Sequence, residues 1–536
     1  MTTLVPGALI VKEGRALAPI WLGAAVTIVA GTSAGVLMGS LLAFILGAAA
    51  LGVFSIGHEY GNRTLTSLLA QPLARSRLLL SKVLVLAALL VLLSVVAALV
   101  LLRANGIERM LGGDNAASQW SIAIAVLTPL LGLCVAPWLT MLFRNATAGL
   151  VFTLAVPSVL WIAGQIARAA SVDFDFVDLE VGNPFGYRPA LTLMTVGVVA
   201  VSIVAAVHGR KLFVGLEALD APRDLLPSVR RRSAAGATHV ASRHARRRGP
   251  LVLFVQKEVR LYGLAFALAA LYAIGWIALW LARAGTYLAD NSFEFFAATY
   301  GLFIALLVGA TSIAEERALG TADTQLLQPW PFWKQWLTKL ATVSAISLIV
   351  GLAVPRTLQA VLPLIDSSSS VGPDLGTFRF LLPNPFNGGV AMILLATLFS
   401  CYVSSLCVGG LRALLAALPL SFSLASLCSY LFYWVYWLEH TLRVKYGLRE
   451  FWWQGLPTAT PQDFRTAFLY SQRMAAIAFL GFVAMLLFFF LRNFRSGERG
   501  TTTARKQLPW VVVYAALAAV LVRGGDELLT WWLLAH

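Results

Sequence analysis

The residues able to do chemistry are few, and most stand at the ends of apolar runs. Glu59 and Lys82 recur 257 residues later as Glu316 and Lys339. The interval between them recurs too: Thr64 pairs with Thr321, Leu69 with Leu326, Gln71 with Gln328, Pro72 with Pro329 and Arg77 with Lys334. Each copy sits between two long apolar runs, so the shared context is as informative as the shared letters. Sets that could catalyse are poor by comparison. His58-Glu59 and Glu439-His440 are isolated acid and imidazole neighbours, while Asp173, Asp175, Asp178 and Glu180 read as an acidic loop. Catalysis would need convergent acids, bases or metal ligands, and no HExxH occurs. Neither a catalytic residue nor a metal site is expected.

The elements that must hold these residues are transmembrane helices. Hydrophobic residues make up 59% of the 536, charged residues only 12%, and the mean hydropathy is +0.79. A soluble globule is nearer half apolar and a quarter charged. The runs are continuous rather than alternating, which excludes a barrel and leaves an all-α polytopic fold. Cys134, Cys401, Cys407 and Cys428 lie in apolar runs without ligand spacing and read as buried thiols. No removable signal peptide is expected, so the first span stays in the membrane.

Residues 1–208 hold six runs: two in 16–57 with a turn at Gly31 to Gly35, then runs near 78–102, 120–142, 147–167 and 190–208. Residues 209–250, with Arg230 to Arg232 and Arg246 to Arg248, form a basic linker. Residues 251–492 restart the pattern, since Lys257-Glu258-Val259-Arg260 repeats Lys12-Glu13-Gly14-Arg15. Six more runs follow, near 261–282, 296–314, 338–362, 388–410, 413–438 and 471–491. Residues 493–536 add a basic linker and a short thirteenth run, 508–522.

Charge sets the orientation. With the N-terminus in the cytoplasm, most Lys and Arg fall on the inner side, as short loops require. Both repeated stretches and the linker then face inward. The acidic loop and the aromatic segment from Tyr433 to Trp453 face outward; the latter reads as an interfacial belt or the lining of an exit. Asn183-Pro184-Phe185 and Asn384-Pro385-Phe386 read only as helix starts. The net charge of +16 is what anionic headgroups and topology demand, and without a recognition motif it points to membrane lipid rather than nucleic acid.

Within the first stretch Leu65, Leu68, Leu69 and Leu73 fall at helical spacing, which suits a short interfacial helix ended by Pro72; Pro329 stands at the matching place. Trp330, Trp333 and Trp336 weight the second copy. Interfacial anchoring asks for a class of residue, not a fixed register, so two in-register copies need a further explanation.

At these residues the chain resembles the membrane subunits of ABC-2 type transporters, whose pattern after the second span is Glu, Gly-Thr, a Leu pair, Pro, a basic residue and Lys. The resemblance implies a permease whose two coupling helices dock on ABC ATPase subunits. It assigns ATPase coupling to Glu59, Thr64, Pro72, Lys82, Glu316, Gly320, Thr321, Pro329 and Lys339. It places Lys12, Glu13, Arg15, Lys257, Glu258 and Arg260 on entry helices. A usual subunit has six spans, so two units are fused here. Arg63 stands where the pattern has Gly, Gly61 coming two residues early.

No GxxxxGK[ST] loop occurs, so ATP and Mg belong on a separate ATPase partner, two copies or a heterodimer, and this chain carries no cofactor. The runs hold almost no ionisable groups apart from Arg356, which lies toward the outer end of its run, so the midplane charge of ion-coupled carriers is missing. The expected role is the pore of an ATP-driven exporter in a prokaryotic plasma membrane. The alternatives are an ABC-like complex passing force to an outside partner and a membrane enzyme acting on a lipid-linked substrate. The cargo is not legible beyond apolar or amphipathic.

Overall fold

The computed structural model describes residues 7–33, 37–61, 64, 74–105, 116–171, 188–215, 250–281, 290–321, 330–365, 388–445, 461–496 and 501–535. Every regular element among them is a helix, as segments that must satisfy their own amides in lipid require. The first half comprises α1 (Gly7–Ser33), α2 (Leu37–Gly61), α3 (Arg75–Asn105), α4 (Ala116–Leu130), α5 (Ala136–Phe143), α6 (Ala146–Ser171) and α7 (Arg188–Val214). The second comprises α8 (Pro250–Leu261), α9 (Gly263–Leu281), α10 (Asp290–Leu319), α11 (Phe332–Leu348), α12 (Val354–Ile365), α13 (Gly388–Leu406), α14 (Gly410–Lys445), α15 (Pro461–Ser496) and α16 (Thr501–Ala535). Five-residue π turns, Leu131–Val135 and Ile349–Ala353, join α4 to α5 and α11 to α12.

Among the described residues ten helices are long and apolar enough to cross a membrane, or eleven if the bent pair α8 and α9 counts as one span. Twelve or thirteen were expected for the whole chain. Only Gly410–Ala425 of α14 qualifies, as a shorter apolar helix. The thirteenth run lies in α16, which is continuous but is not among the ten. Its apolar stretch is pinched between Lys506 and Arg523, short of the ~20 residues a span needs.

Two further expectations change. Residues 493–496 are not linker: they finish α15, and buried Asn493 donates to Ser405 Oγ at 3.0 Å and exchanges bonds of 3.1 and 2.8 Å with Gln507 of α16. The entry helices also differ. α8 meets α9 at 56°, with the Tyr262 amide closing a tight bond to Val259 O just before Gly263. In the first half Leu17-Ala18 continue the helix, so Lys12, Glu13 and Arg15 lie on the first span itself.

The largest core joins both halves: Ala50 and Val53 of α2 and Val151 of α6 pack in one cluster with Ile304 and Leu307 of α10 and Leu414 of α14. Helices approach through small residues and hydroxyls, the usual packing device in lipid. Ser400 and Ser404 of α13 donate to Leu306 O and Ala310 O at 2.6 and 2.8 Å. Gly52 of α2 lies against the Gly132 carbonyl in the first π turn, and Gly309 of α10, 257 residues on, lies against the Thr397 carbonyl of α13. Arg144 (φ 50°) follows α5 and Gly409 (φ 129°) stands between α13 and α14, both in the left-handed region.

A Cβ on Gly52 would overlap a backbone oxygen that cannot retreat. Gly52→Ala is therefore expected to destabilise the purified protein by about 1–3 kcal/mol, read as a lowered thermal midpoint in detergent. Gly14→Ala, whose Cβ would meet nothing within 4 Å, should leave the midpoint unchanged.

Pro72, Pro329, the interfacial helix around Leu65 to Pro72, the acidic loop Asp173 to Glu180, both Asn-Pro-Phe segments and most of the linker 209–250 lie outside the described residues. The same holds for residues 446–453 of the aromatic segment and for the side chains of Tyr433 to Lys445, Glu439 and His440 included.

Candidate functional site: two buried ion-pair corners

In the first half α1, the end of α2 and the start of α3 meet at Lys82. Its Nζ lies 2.7 Å from Glu13 Oε1 and 3.5 Å from Glu59 Oε1, and donates to the Ser55 carbonyl at 3.1 Å. Lys12 Nζ reaches the same Glu59 oxygen at 3.7 Å from a more exposed position. Thr64 ties the chain leaving α2 to this carboxylate, its hydroxyl donating to Glu59 Oε2 and its amide to Glu59 O at 3.0 Å.

The second half builds the same corner. Lys339 Nζ of α11 lies 2.9 Å from Glu258 Oε2 of α8 and 2.8 Å from Glu316 Oε2 of α10, and donates to the Ser312 carbonyl at 2.9 Å. Lys257 Nζ takes the other Glu316 oxygen at 2.7 Å. Thr321 Oγ1 donates to Glu316 O at 3.2 Å. Gly320, with φ of 72°, supplies the left-handed turn that stops α10.

Glu13, Glu59, Lys82, Glu258, Glu316 and Lys339 are each at most 3% exposed. Desolvating such groups costs several kcal/mol per ion, and only close pairing with satisfied hydrogen bonds offsets it. Each corner balances two carboxylates against two ammoniums. The spans are thus less empty of charge than Arg356 alone suggests, since these groups lie within helices able to cross a membrane. They sit at span ends rather than at the middle.

The corners differ at one place. His58 Nδ1 bonds the Phe54 carbonyl at 2.7 Å and Nε2 faces Glu59 Oε1 at 3.1 Å. Both nitrogens of this ring thus face oxygen atoms of the corner. At the matching position stands Glu315, whose Oε2 instead accepts the Gly410 amide at 3.3 Å. Ligand atoms of Glu13, His58 and Glu59 lie within 4.8 Å of one another, a set that could take a divalent ion. Lys82 already places an ammonium among them, so the arrangement favours an ion-pair cluster over a metal centre.

The structure brings together Lys12, Glu13, Glu59, Thr64 and Lys82, and separately Lys257, Glu258, Glu316, Thr321 and Lys339. It leaves Arg15 and Arg260 exposed, outside both corners. Sequence reasoning missed the carbonyls of Ser55 and Ser312, although these serines are themselves 257 residues apart. It also gave no weight to Arg77 and Lys334, which are exposed at the starts of α3 and α11, next to the corners and free of the buried network.

A cavity of about 1,520 Å³ lies beside the corners, walled by α1 and α2 from the first half and by α10, α13, α14, α15 and α16 from the second. Its described lining is almost wholly apolar. Phe54, whose carbonyl holds His58, forms part of the wall.

Residues 20–162 match the family model described as ABC-2 family transporter protein. That stretch is similar to the ABC-2 family transporter membrane proteins. The matched segment runs from within α1 into α6 and contains Glu59, Thr64 and Lys82, so the first corner is largely inside it. Neither the curated proteins nor the solved structures contained a match to the chain.

Proposed function

We propose that the chain supplies the entire pathway of an ATP-driven exporter, as two ABC-2 six-span units fused in tandem and worked from the cytoplasm by two separate ABC ATPase subunits. One observation carries this: the same corner, Glu and Lys of the entry segment, Ser and Glu at the end of the second span, Thr just after it and Lys of the third, is built twice. Four of these positions keep one 257-residue offset, Ser55, Glu59, Thr64 and Lys82 against Ser312, Glu316, Thr321 and Lys339. A membrane-surface connector has no need of such repetition.

The buried groups are positioning residues. They fasten entry segment, second span and third span into one rigid piece, so that force on the exposed side is passed into the bundle rather than absorbed by bending. ATP-driven closure of the motor would tilt the two units between inward- and outward-open states. Catalysis stays with the motor, because this chain has no phosphate loop. The bias of Lys and Arg supports a cytoplasmic N-terminus in a prokaryotic plasma membrane. The cavity between the halves favours transport over force transmission to an outside partner, which would need no such space.

Stoichiometry tests the fusion. Native mass spectrometry of the complex that this chain forms with its ABC ATPase should give one copy of this chain to two ATPase subunits. A two-to-two complex would overturn the single-chain pore.

A further inference from the structure

A second cavity, of about 560 Å³, opens between the end of α15 and the start of α16, a size within the ~300–1,000 Å³ of ordinary ligand sites. Its wall carries Arg492 of α15 and Thr503, Lys506 and Trp510 of α16. Arg492 and Lys506 are exposed, and among the described residues neither meets a carboxylate. Thr503 is only 9% exposed, yet no described residue bonds its hydroxyl, so a buried polar group that would ordinarily be satisfied lines the cavity without a partner. Gln507, held by its exchange of bonds with Asn493, makes that wall rigid.

Neighbouring rings set the depth of this cavity. Phe490 packs on Trp336 with centroids 5.9 Å apart, and the Arg495 guanidinium lies 5.3 Å from the Phe332 ring. Both partners stand at the start of α11, which carries Lys339, so the cavity lies level with the second corner. That is the side to which the bias of Lys and Arg assigns the cytoplasm. Two apolar stripes at helical spacing lead away from it, Ile477, Leu480 and Phe488 on α15 and Trp510, Val513 and Leu517 on α16, each side chain more than half exposed. On a chain that spans a membrane such stripes face acyl chains.

We propose that this cavity holds the phosphate head of an anionic phospholipid from the corner-side leaflet, with its acyl chains along the two stripes. One phosphate can accept from Arg492, Lys506 and the Thr503 hydroxyl together, whereas a choline head brings its own cation against the two already there. The stripes select a lipid over a soluble anion, which gains nothing from apolar contact. A basic pocket between helices at the cytoplasmic face suits such a head. The proposal needs the membrane, but neither the ATPase nor the tandem pathway.

Binding is measured by native mass spectrometry of the purified full chain in neutral detergent, titrated with phosphatidylglycerol or with phosphatidylcholine of the same chains. The first phosphatidylglycerol should bind about tenfold more tightly or better, each nearby cation contributing about fivefold. Arg492→Gln and Lys506→Gln should each lose about fivefold and together abolish the preference, while Arg492→Lys with Lys506→Arg should keep most of it. Thr503→Val, which removes the hydroxyl at nearly constant volume, should weaken phosphatidylglycerol several-fold and leave phosphatidylcholine unchanged. Arg505→Gln, at an exposed cation of α16 outside the cavity wall, should leave the preference intact. Excess inorganic phosphate at constant ionic strength should not displace the lipid. Equal binding of the two lipids, a preference that survives the double Gln variant, a loss in Arg505→Gln as large as in Lys506→Gln, or displacement by phosphate overturns the proposal.

Discussion

Lys339→Ala should destabilise the protein by about 3–5 kcal/mol, read as a lowered thermal midpoint and reduced yield of the monodisperse protein in detergent. The lysine is fully buried and pairs Glu258 and Glu316 at once. Removing it leaves Glu258 as a carboxylate of 0% exposure without its ammonium, while Glu316 keeps Lys257. The loss should therefore fall mainly on Glu258. Lys339→Met with Glu258→Gln, which removes the stranded charge while keeping volume, should recover much of the midpoint. If Lys339→Ala melted like the unaltered protein, the corner would not be an organising element.

Reversing Arg77 and Lys334 together, as Arg77→Glu with Lys334→Glu, should weaken association with the ATPase about a hundredfold or more, since like-charge contacts across an interface cost several kcal/mol. Both side chains are exposed, stand at equivalent positions and start the helices that carry Lys82 and Lys339. Because neither belongs to a buried network, the thermal midpoint of the chain alone should not move. Co-purification and ATPase stimulation provide the measurement. Each single reversal should remove part of the effect, and unequal parts would show that the motor grips the two corners unequally. Retained binding in the double variant would place the docking surface elsewhere.

Much of the corner was legible in the sequence. Glu59, Thr64 and Lys82 recur at a constant interval in Glu316, Thr321 and Lys339, and Lys12-Glu13 recurs in Lys257-Glu258. Spacing alone did not show that the two patterns are one object. The offset is 257 residues for the first set and 245 for the second, because the chain between entry segment and second span differs in length. The exposed pair Arg77 and Lys334 was in register but unremarkable, since exposure is a property of packing. The span count was less legible, as in α16, where charges at both ends of an apolar run shorten it below membrane thickness.

By itself, then, the sequence determined the medium, the helical class and the doubled register of its charged positions, because apolar run length and residue identity are local properties. Tertiary structure decided that Lys82 and Lys339 each reach two carboxylates from different helices. It also decided that Gly52 and Gly309 are points of backbone contact, and that a cavity of largely apolar described lining lies between the halves. A buried ion is tolerated only with partners on its neighbours, and which neighbours those are is fixed by helix packing, not by order along the chain.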